Sequence, residues 1–384
     1  MKQEETVEQN ENIYTCAAIC QTGIEEALEK ELTDNNVTIT DRLHNTIKFV
    51  CDKETFYKLN MSLRSATMVL REIRGFTITD YDMLYHRSKK INWHKLFDNS
   101  KSFRVDVKGG SDILHNSQFV VHRVKDAIAD TFKNVTDGVR PSVEKENPDI
   151  SVIVYVDGKN ITVYLNGSGE PLFKRGYRKH KGEAPIKEDL AAGLLILAGY
   201  NGAQDLYDPM CGSGTFLIEA AMIADNVPPN LNRKFAFENW LDFDKDIFNK
   251  VKGALKAGIK KTNVKIFGSD IDLTNIGSAQ KNIISAGFED RISVYRADYK
   301  NTDQILNNYC IITNPPYGTR LEIDAPELFY KELGDFLKNK AKQSQAFIFS
   351  GDLSASKKIG LRTEFKKKVY NGPIECRLLK YSLW

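Results

Sequence analysis

The fold turns on one stretch, Asp205-Leu206-Tyr207-Asp208-Pro209-Met210-Cys211-Gly212-Ser213-Gly214-Thr215. Its spacing predicts a short strand over Asp205 to Tyr207, a glycine-rich turn, and a helix from Thr215 to Ala224. An apolar helix, Lys187 to Ala198, precedes it. An aromatic, irregular segment from Pro228 to Asp246 follows. Then come helix Ile247 to Ala257, strand Val264 to Gly268, helix Asn275 to Ala286, and strands Ile292 to Arg296 and Cys310 to Thr313. Helix Glu327 to Leu337 and strand Ala346 to Ser350 continue the series. Strands alternating with helices of this length predict an α/β fold with a parallel, doubly wound sheet. Two last strands, near Lys366 to Tyr370 and Glu375 to Tyr381, are joined only by Asn371-Gly372-Pro373. That link is too short for a parallel crossover, so they form a terminal antiparallel hairpin.

In such a sheet, ligands bind beyond the carboxyl ends of the strands. The first of those ends carries Asp208, Pro209, Cys211, Gly212, Gly214 and Thr215. It lacks the third glycine of a dinucleotide fingerprint and the Gly-Lys-Ser/Thr of a phosphate loop. Asp208 would repel phosphate and suit a cation. S-adenosylmethionine, with an ammonium, a sulfonium and no phosphate, fits that description. The second strand ends Gly268-Ser269-Asp270-Ile271-Asp272. Asp270 can accept both ribose hydroxyls, while Asp272 stands where a helix cap is useful. Asp298, after the third strand, can accept from an adenine amine or act as an ordinary loop residue. The fourth strand ends Asn314-Pro315-Pro316-Tyr317. The Asn314 oxygen and the Pro315 carbonyl are two acceptors, and the Tyr317 ring is a flat apolar face. Together they suit a planar ring bearing an exocyclic amine; taken alone, the four residues are also a competent tight turn.

The remainder of the chain bounds the reading. At 384 residues, 41% hydrophobic and 27% charged, it suggests a globular protein of two or three domains. A formal charge of +3 does not by itself argue for nucleic acid. No run of about 18 apolar residues is present, so no membrane span is expected. Residues 1–12 are polar and acidic, unlike a signal peptide, and read as a disordered lead; a cytoplasmic location is the expectation. The six cysteines show no metal-ligand spacing, so they read as free thiols and no metal is expected. Residues 13–70 follow a β-α-β-β-α order, which reads as a small α+β module. Residues 71–165 show helices at Met83 to Ile91 and Ser117 to Phe132, a strand at Ser102 to Lys108, and a hairpin around Asp157-Gly158-Lys159-Asn160. Residues 166–185 form a junction. Within it, Phe173 to Lys181 carries five Lys or Arg (Lys174, Arg175, Arg178, Lys179, Lys181) and two aromatics. Such a cluster can bind nucleic-acid phosphates or serve as a flexible basic linker.

The strand-end motifs resemble those of class I (Rossmann-like) S-adenosylmethionine-dependent methyltransferases: DPMCGSGT the first, GSDID the second, RADY the third, and NPPYG the fourth of the amino-methylating kind. The longer phrases GEPLFKRGYRKHKGEAPIKEDLAAGLL, LYDPMCGSGTFLIEAA, RKFAFENW and TNPPYGTRL resemble the THUMP-containing bacterial RNA guanine-N2 methyltransferases. The resemblance implies a ferredoxin-like domain over 13–70, an RNA-binding THUMP domain over 71–165, and a methyltransferase domain over 186–384. It implies S-adenosyl-L-methionine as cofactor and RNA as partner, 23S rRNA ahead of tRNA. It implies cofactor contacts from Asp208, Pro209, Cys211, Gly212, Gly214, Thr215, Asp270, Ile271, Asp298 and Asn314, and catalysis by Asn314, Pro315 and Tyr317. The alternatives are a tRNA guanine-N2 methyltransferase, a more distant adenine-N6 enzyme acting on DNA, and a catalytically silent RNA-binding or assembly factor.

Overall fold

The computed structural model describes residues 13–179, 186–301, 305–317 and 324–384. The acidic lead 1–12 and Lys181 lie outside them. The first half runs β1 (Ile13–Cys20), α1 (Glu25–Asp34), β2 (Thr38–Leu43), β3 (Thr46–Asp52), α2 (Lys53–Ser62), β4 (Ala66–Thr77), α3 (Tyr81–Lys89), β5 (Phe103–Gly110), α4 (Ser117–Val135), β6 (Ile150–Asp157) and β7 (Asn160–Asn166). Local chemistry explains the helices. In α4, Asn116 caps the N-terminus by accepting from the Gln118 and Phe119 N–H groups, and Val120, Val124, Ala127, Ile128 and Phe132 repeat every three or four residues on the buried face. Burying each of the larger side chains contributes roughly 1.5–3 kcal/mol.

All seven strands share one sheet, in the order β2-β3-β1-β4-β7-β6-β5. β4 is the strand that sequence reading passes over. Its interior holds Arg71, Glu72 and Arg74, which mask the apolar run Ala66 to Leu70. The fold neutralises the first of these charges with a remote group: Arg71 pairs with Asp242 at 2.6 Å and lies 3.8 Å over the Tyr14 ring. β4 pairs antiparallel with β1 on one side and with β7 on the other, so it crosses from residues 13–70 into 71–165 without a break.

The second half runs α5 (Glu188–Leu197), β8 (Asp205–Asp208), α6 (Thr215–Ala224), α7 (Lys245–Ala257), β9 (Ile266–Asp270), α8 (Leu273–Ala286), β10 (Ile292–Arg296), β11 (Leu306–Asn307), β12 (Tyr309–Thr313), α9 (Pro326–Lys340), β13 (Ala341–Lys342), β14 (Ser344–Ser350), β15 (Phe365–Asn371) and β16 (Ile374–Leu383). The second sheet is ordered β10-β9-β8-β12-β14-β16-β15. β10 through β14 are mutually parallel, and β16 runs antiparallel to both β14 and β15. The chain builds outward from β8 to β10 and then returns to lay β12 on the other side of β8. The topological switch point therefore lies between β8 and β12. Among the described residues, no helix is long and apolar enough to cross a membrane.

The two halves are joined by a built interface. The aromatic segment after Pro228 packs on α2: Tyr57 stacks on Phe237 with centroids 4.6 Å apart, and Phe56 lies 5.6 Å from Trp240. Asp242 accepts from Tyr14 Oη at 2.8 Å as well as from Arg71.

Candidate active site

The register of the second sheet brings the predicted motifs to one edge. Tyr207 of β8 faces Ile311 of β12, Asp208 faces Gly268 of β9, and Asp270 faces Arg296 of β10. Asp208, Asp270, Asp298 and Asn314 thus stand at, or within two residues of, four carboxyl ends. The loop after β8 is held by backbone hydrogen bonds, one to β9 and one within itself. Cys211 N–H donates to the Ser269 carbonyl (2.9 Å), and Gly214 N–H donates to the Cys211 carbonyl (2.8 Å). Gly212 and Gly214 have φ of +52° and +82°, which favours glycine. A Cβ at Gly212 would meet nothing within 4 Å, whereas one at Gly214 would lie 3.3 Å from Ala279 of α8. Gly212 therefore borders open space, and Gly214 is the packing glycine.

Asp270 ties two strand ends together. Its Oδ2 accepts from Gly212 N–H (2.9 Å), and its Oδ1 accepts from Asp272 N–H (3.0 Å) and Asn275 Nδ2 (3.2 Å). Asp272 caps α8 by accepting from Thr274 N–H. Ile271, between the two carboxylates, is 62% exposed and offers an apolar surface. Asp208 is buried beneath the loop, accepting from Met210 N–H at 3.1 Å. Burial, the largest cause, pushes its carboxyl up to about 7; the Met210 N–H opposes the rise and the nearby Asp270 charge adds to it. Its electrostatic pull on a cation is correspondingly weaker than the sequence suggests. Cys211 is buried and its thiol is held well above its ordinary value by that burial. Pro209 accepts through its carbonyl from Ser269 Oγ (3.4 Å). Asp298 accepts from Lys300 N–H at 3.0 Å.

Asn314 has an unusual environment. Its Oδ1 is buried and has no hydrogen-bond partner. Such an orphan acceptor costs about 1–3 kcal/mol, a cost that a donor from outside the fold would relieve. Pro315 is buried next to it. Tyr317 is held from the opposite side: its Oη accepts from Asn371 Nδ2 at 3.0 Å and from Cys376 Sγ at 3.5 Å. Burial pushes its phenol well above the ordinary value, so the hydroxyl stays neutral. In the sequence Asn371 stands only as part of the turn Asn371-Gly372-Pro373. Nothing local marks it, because its partner is 54 residues away.

The basic junction divides. Lys174 is exposed and pairs with Glu170 at 2.7 Å, and Lys179 is exposed. Arg175 and Arg178 turn inward, whereas the sequence reading expects them on an exposed basic cluster. The Arg175 side chain is 0% exposed; it donates to the Leu172 carbonyl at 2.6 Å and lies 3.6 Å from Glu219. Glu219 in turn accepts from Tyr177 Oη at 2.9 Å. Arg178 donates to the Ile186 carbonyl (2.6 Å) and to Thr215 Oγ1 (2.8 Å), and lies 3.3 Å from Glu188. The Thr215 hydroxyl is therefore engaged by the junction at the first turn of α6. A guanidinium is more weakly hydrated than an ammonium and presents a planar fork of donors, so arginine is the cation that burial selects.

Comparison with known proteins matches three stretches of the chain. Residues 15–70 match the RlmL ferredoxin-like domain, residues 79–166 the THUMP domain, and residues 175–380 the RMKL-like methyltransferase domain. The chain is 36% identical over 388 residues to the ribosomal RNA large subunit methyltransferase K/L of Cellvibrio japonicus, covering 97% of this chain and 51% of that protein. It thus spans about half the length of that relative. A protein of Synechocystis described as "Putative RNA methyltransferase" is 33% identical, with 94% of this chain and 95% of that one covered. A crystal structure of a "putative methyltransferase complexed with SAH" superposes with a TM-score of 0.88 at 28% identity, covering 97% of this chain and 99% of that one. The chain belongs to the RMKL-like methyltransferase family, with ferredoxin-like and THUMP domains preceding the methyltransferase domain.

Proposed function

We propose that the chain is an S-adenosyl-L-methionine-dependent RNA methyltransferase that modifies the exocyclic N2 of a guanine in 23S rRNA. The observation that carries this is the buried, unpartnered Oδ1 of Asn314, next to Pro315 in the turn that also holds Tyr317. S-adenosyl-L-methionine supplies the methyl group when bound. The open space at Gly212 and the exposed face of Ile271 fit it. Gly212, Asp270, Ile271 and Asp298 would hold it on the open side. Asp208, Pro209, Cys211, Gly214 and Thr215 support the loop from behind.

The guanine amine is a weak nucleophile because its lone pair is delocalised into the ring. Asn314 Oδ1 and the Pro315 carbonyl accept its two protons, favouring a tetrahedral nitrogen whose lone pair is localised and aimed. The Tyr317 ring stacks on the base and fixes its plane. Catalysis is then positioning and hydrogen bonding, with no covalent attachment to the protein. A paired guanine must leave its stack first, at a cost of a few kcal/mol. The THUMP domain and the exposed Lys174 and Lys179 supply the RNA handle.

The test is Asn314→Ala, assayed with rRNA from a strain lacking the gene and labelled methyl donor. Single-turnover rate should fall about 100-fold or more, in line with loss of one preorganised polar contact, while calorimetric cofactor affinity stays within about threefold. Unchanged turnover would remove Asn314 from the chemistry. Nucleoside mapping decides the substrate: N2-methylguanosine in 23S rRNA supports the reading. The same product in tRNA, or N6-methyladenosine in any substrate, replaces it. Cofactor binding with no product on any RNA would mark a silent binder.

A further inference from the structure

Tyr317 is held by an element that neither the motif nor the cofactor loop contains. The β15–β16 hairpin ends against it, with Asn371 Nδ2 at 3.0 Å and Cys376 Sγ at 3.5 Å from its hydroxyl. The ring is boxed from two more sides. A Cβ at Gly351 would lie 2.5 Å from Tyr317 Cδ2, so the ring rests directly on that backbone. Phe349 meets it edge-on at 6.5 Å. A phenol fixed at its hydroxyl and pressed on a backbone has one orientation to offer a base.

The same hairpin is seated on the first half of the chain. Tyr370 N–H, one residue before Asn371, donates to the Thr22 carbonyl at 3.0 Å. Gly23 follows with φ of +98°, and a Cβ there would lie 2.5 Å from the Lys368 carbonyl. Lys367 pairs with Glu26 of α1. Residues 367 to 370 therefore meet the turn between β1 and α1, and residue 371 meets the catalytic turn.

Resting on the reading of Tyr317 as the stacking residue, we infer that Asn371 is a positioning residue. It fixes the Tyr317 ring by its hydroxyl, and the hairpin that carries it transmits the placement of the RNA-binding half to the catalytic turn. Asn371 touches no substrate; it acts through the ring it holds. A tether of this kind sets the rate of the chemical step and leaves cofactor binding alone.

The experiment is a double-mutant cycle on Tyr317→Phe and Asn371→Leu in the full chain, with rRNA from a strain lacking the gene as substrate. Leucine keeps the shape of asparagine and removes the donor; phenylalanine keeps the ring and removes the acceptor. Each single variant should slow single turnover about three- to tenfold, the equivalent of one neutral hydrogen bond. The double variant should be no slower than the slower single one. Asn371→Asp, which can accept from the Tyr317 O–H, should recover most of the rate, whereas a merely structural role would not be rescued this way. Calorimetric cofactor affinity should stay unchanged throughout. Gly23→Ala should lower the same rate through the displaced hairpin. Additive losses in the cycle, or a normal rate for Asn371→Leu, would overturn the inference. If Asn371→Leu fails to fold, Tyr317→Phe against Asn371→Asp carries the test. Loss of turnover in Asn314→Ala together with a normal rate in Asn371→Leu would refute the tether alone and leave the proposed function standing.

Discussion

The strand ends of the second sheet and the basic junction before it are both clusters of charged or polar residues, yet the fold treats them in opposite ways. At the strand ends, each side chain sits on a loop whose direction the sheet dictates, so Asp270 and Asn314 converge on one edge. In the junction no such ladder fixes direction, and the density of positive charge says nothing about which way each residue faces. Two arginines turned inward to meet Glu219 and Glu188, and two lysines stayed outside. Burial was decided by the headgroup: guanidinium turned inward toward carbonyls and carboxylates, ammonium left in water.

Arg175→Ala is the most severe way to probe that contrast. It strips a fully buried cation from the Leu172 carbonyl and from Glu219. A loss of about 3–5 kcal/mol in urea denaturation is expected, with RNA affinity of the folded fraction unchanged. Normal stability with weakened RNA binding would return Arg175 to the RNA side. Asn314→Ala should show the reverse pattern. Beyond the rate loss already described, it removes an orphan acceptor, so thermal stability should hold or rise by about 1 kcal/mol.

Asp208→Asn addresses the charge beneath the cofactor loop. Unfolded, this carboxyl titrates near about 4; folded, it is pushed up to about 7. Between those values the folded chain holds a proton that the unfolded chain has released, so stability falls as pH rises through the window and levels off above it. The variant should show a shallower slope and greater stability at pH 8, measured by denaturation at several pH values. Glu188, which burial pushes up to about 7 against the Arg178 charge, contributes to the remaining slope, together with Glu31 and Glu72, whose carboxyls burial also raises. The smallest effects are reserved for Lys174→Ala and Lys179→Ala. Each should change stability by less than about 0.5 kcal/mol, weaken RNA binding a few-fold, and reduce the salt slope of affinity by about one.

The sequence makes the second sheet legible because its signals are local: apolar runs, glycine turns and a hairpin too short to cross over. Its strand-end residues follow from that order alone. β4 was hidden for the opposite reason. Arg71 is compatible with a central strand only because Asp242, far along the chain, receives it. The inward turn of Arg175 and the hold of Asn371 on Tyr317 share that cause, each depending on a partner that no window of sequence contains. The aromatic segment after Pro228 was visible as irregular, but its purpose, packing on Tyr57 and Phe56, emerges only when the halves meet.

The shared strand β4 has a consequence for how the first half can move. One edge of it belongs to β1 and the other to β7. A strand committed on both edges leaves no hinge between the ferredoxin-like and THUMP domains, since any relative rotation would break a row of backbone hydrogen bonds. The span from β2 at one edge to β5 at the other is then set by one continuous sheet. The first half can therefore shift only as one plate, its two domains keeping their mutual placement.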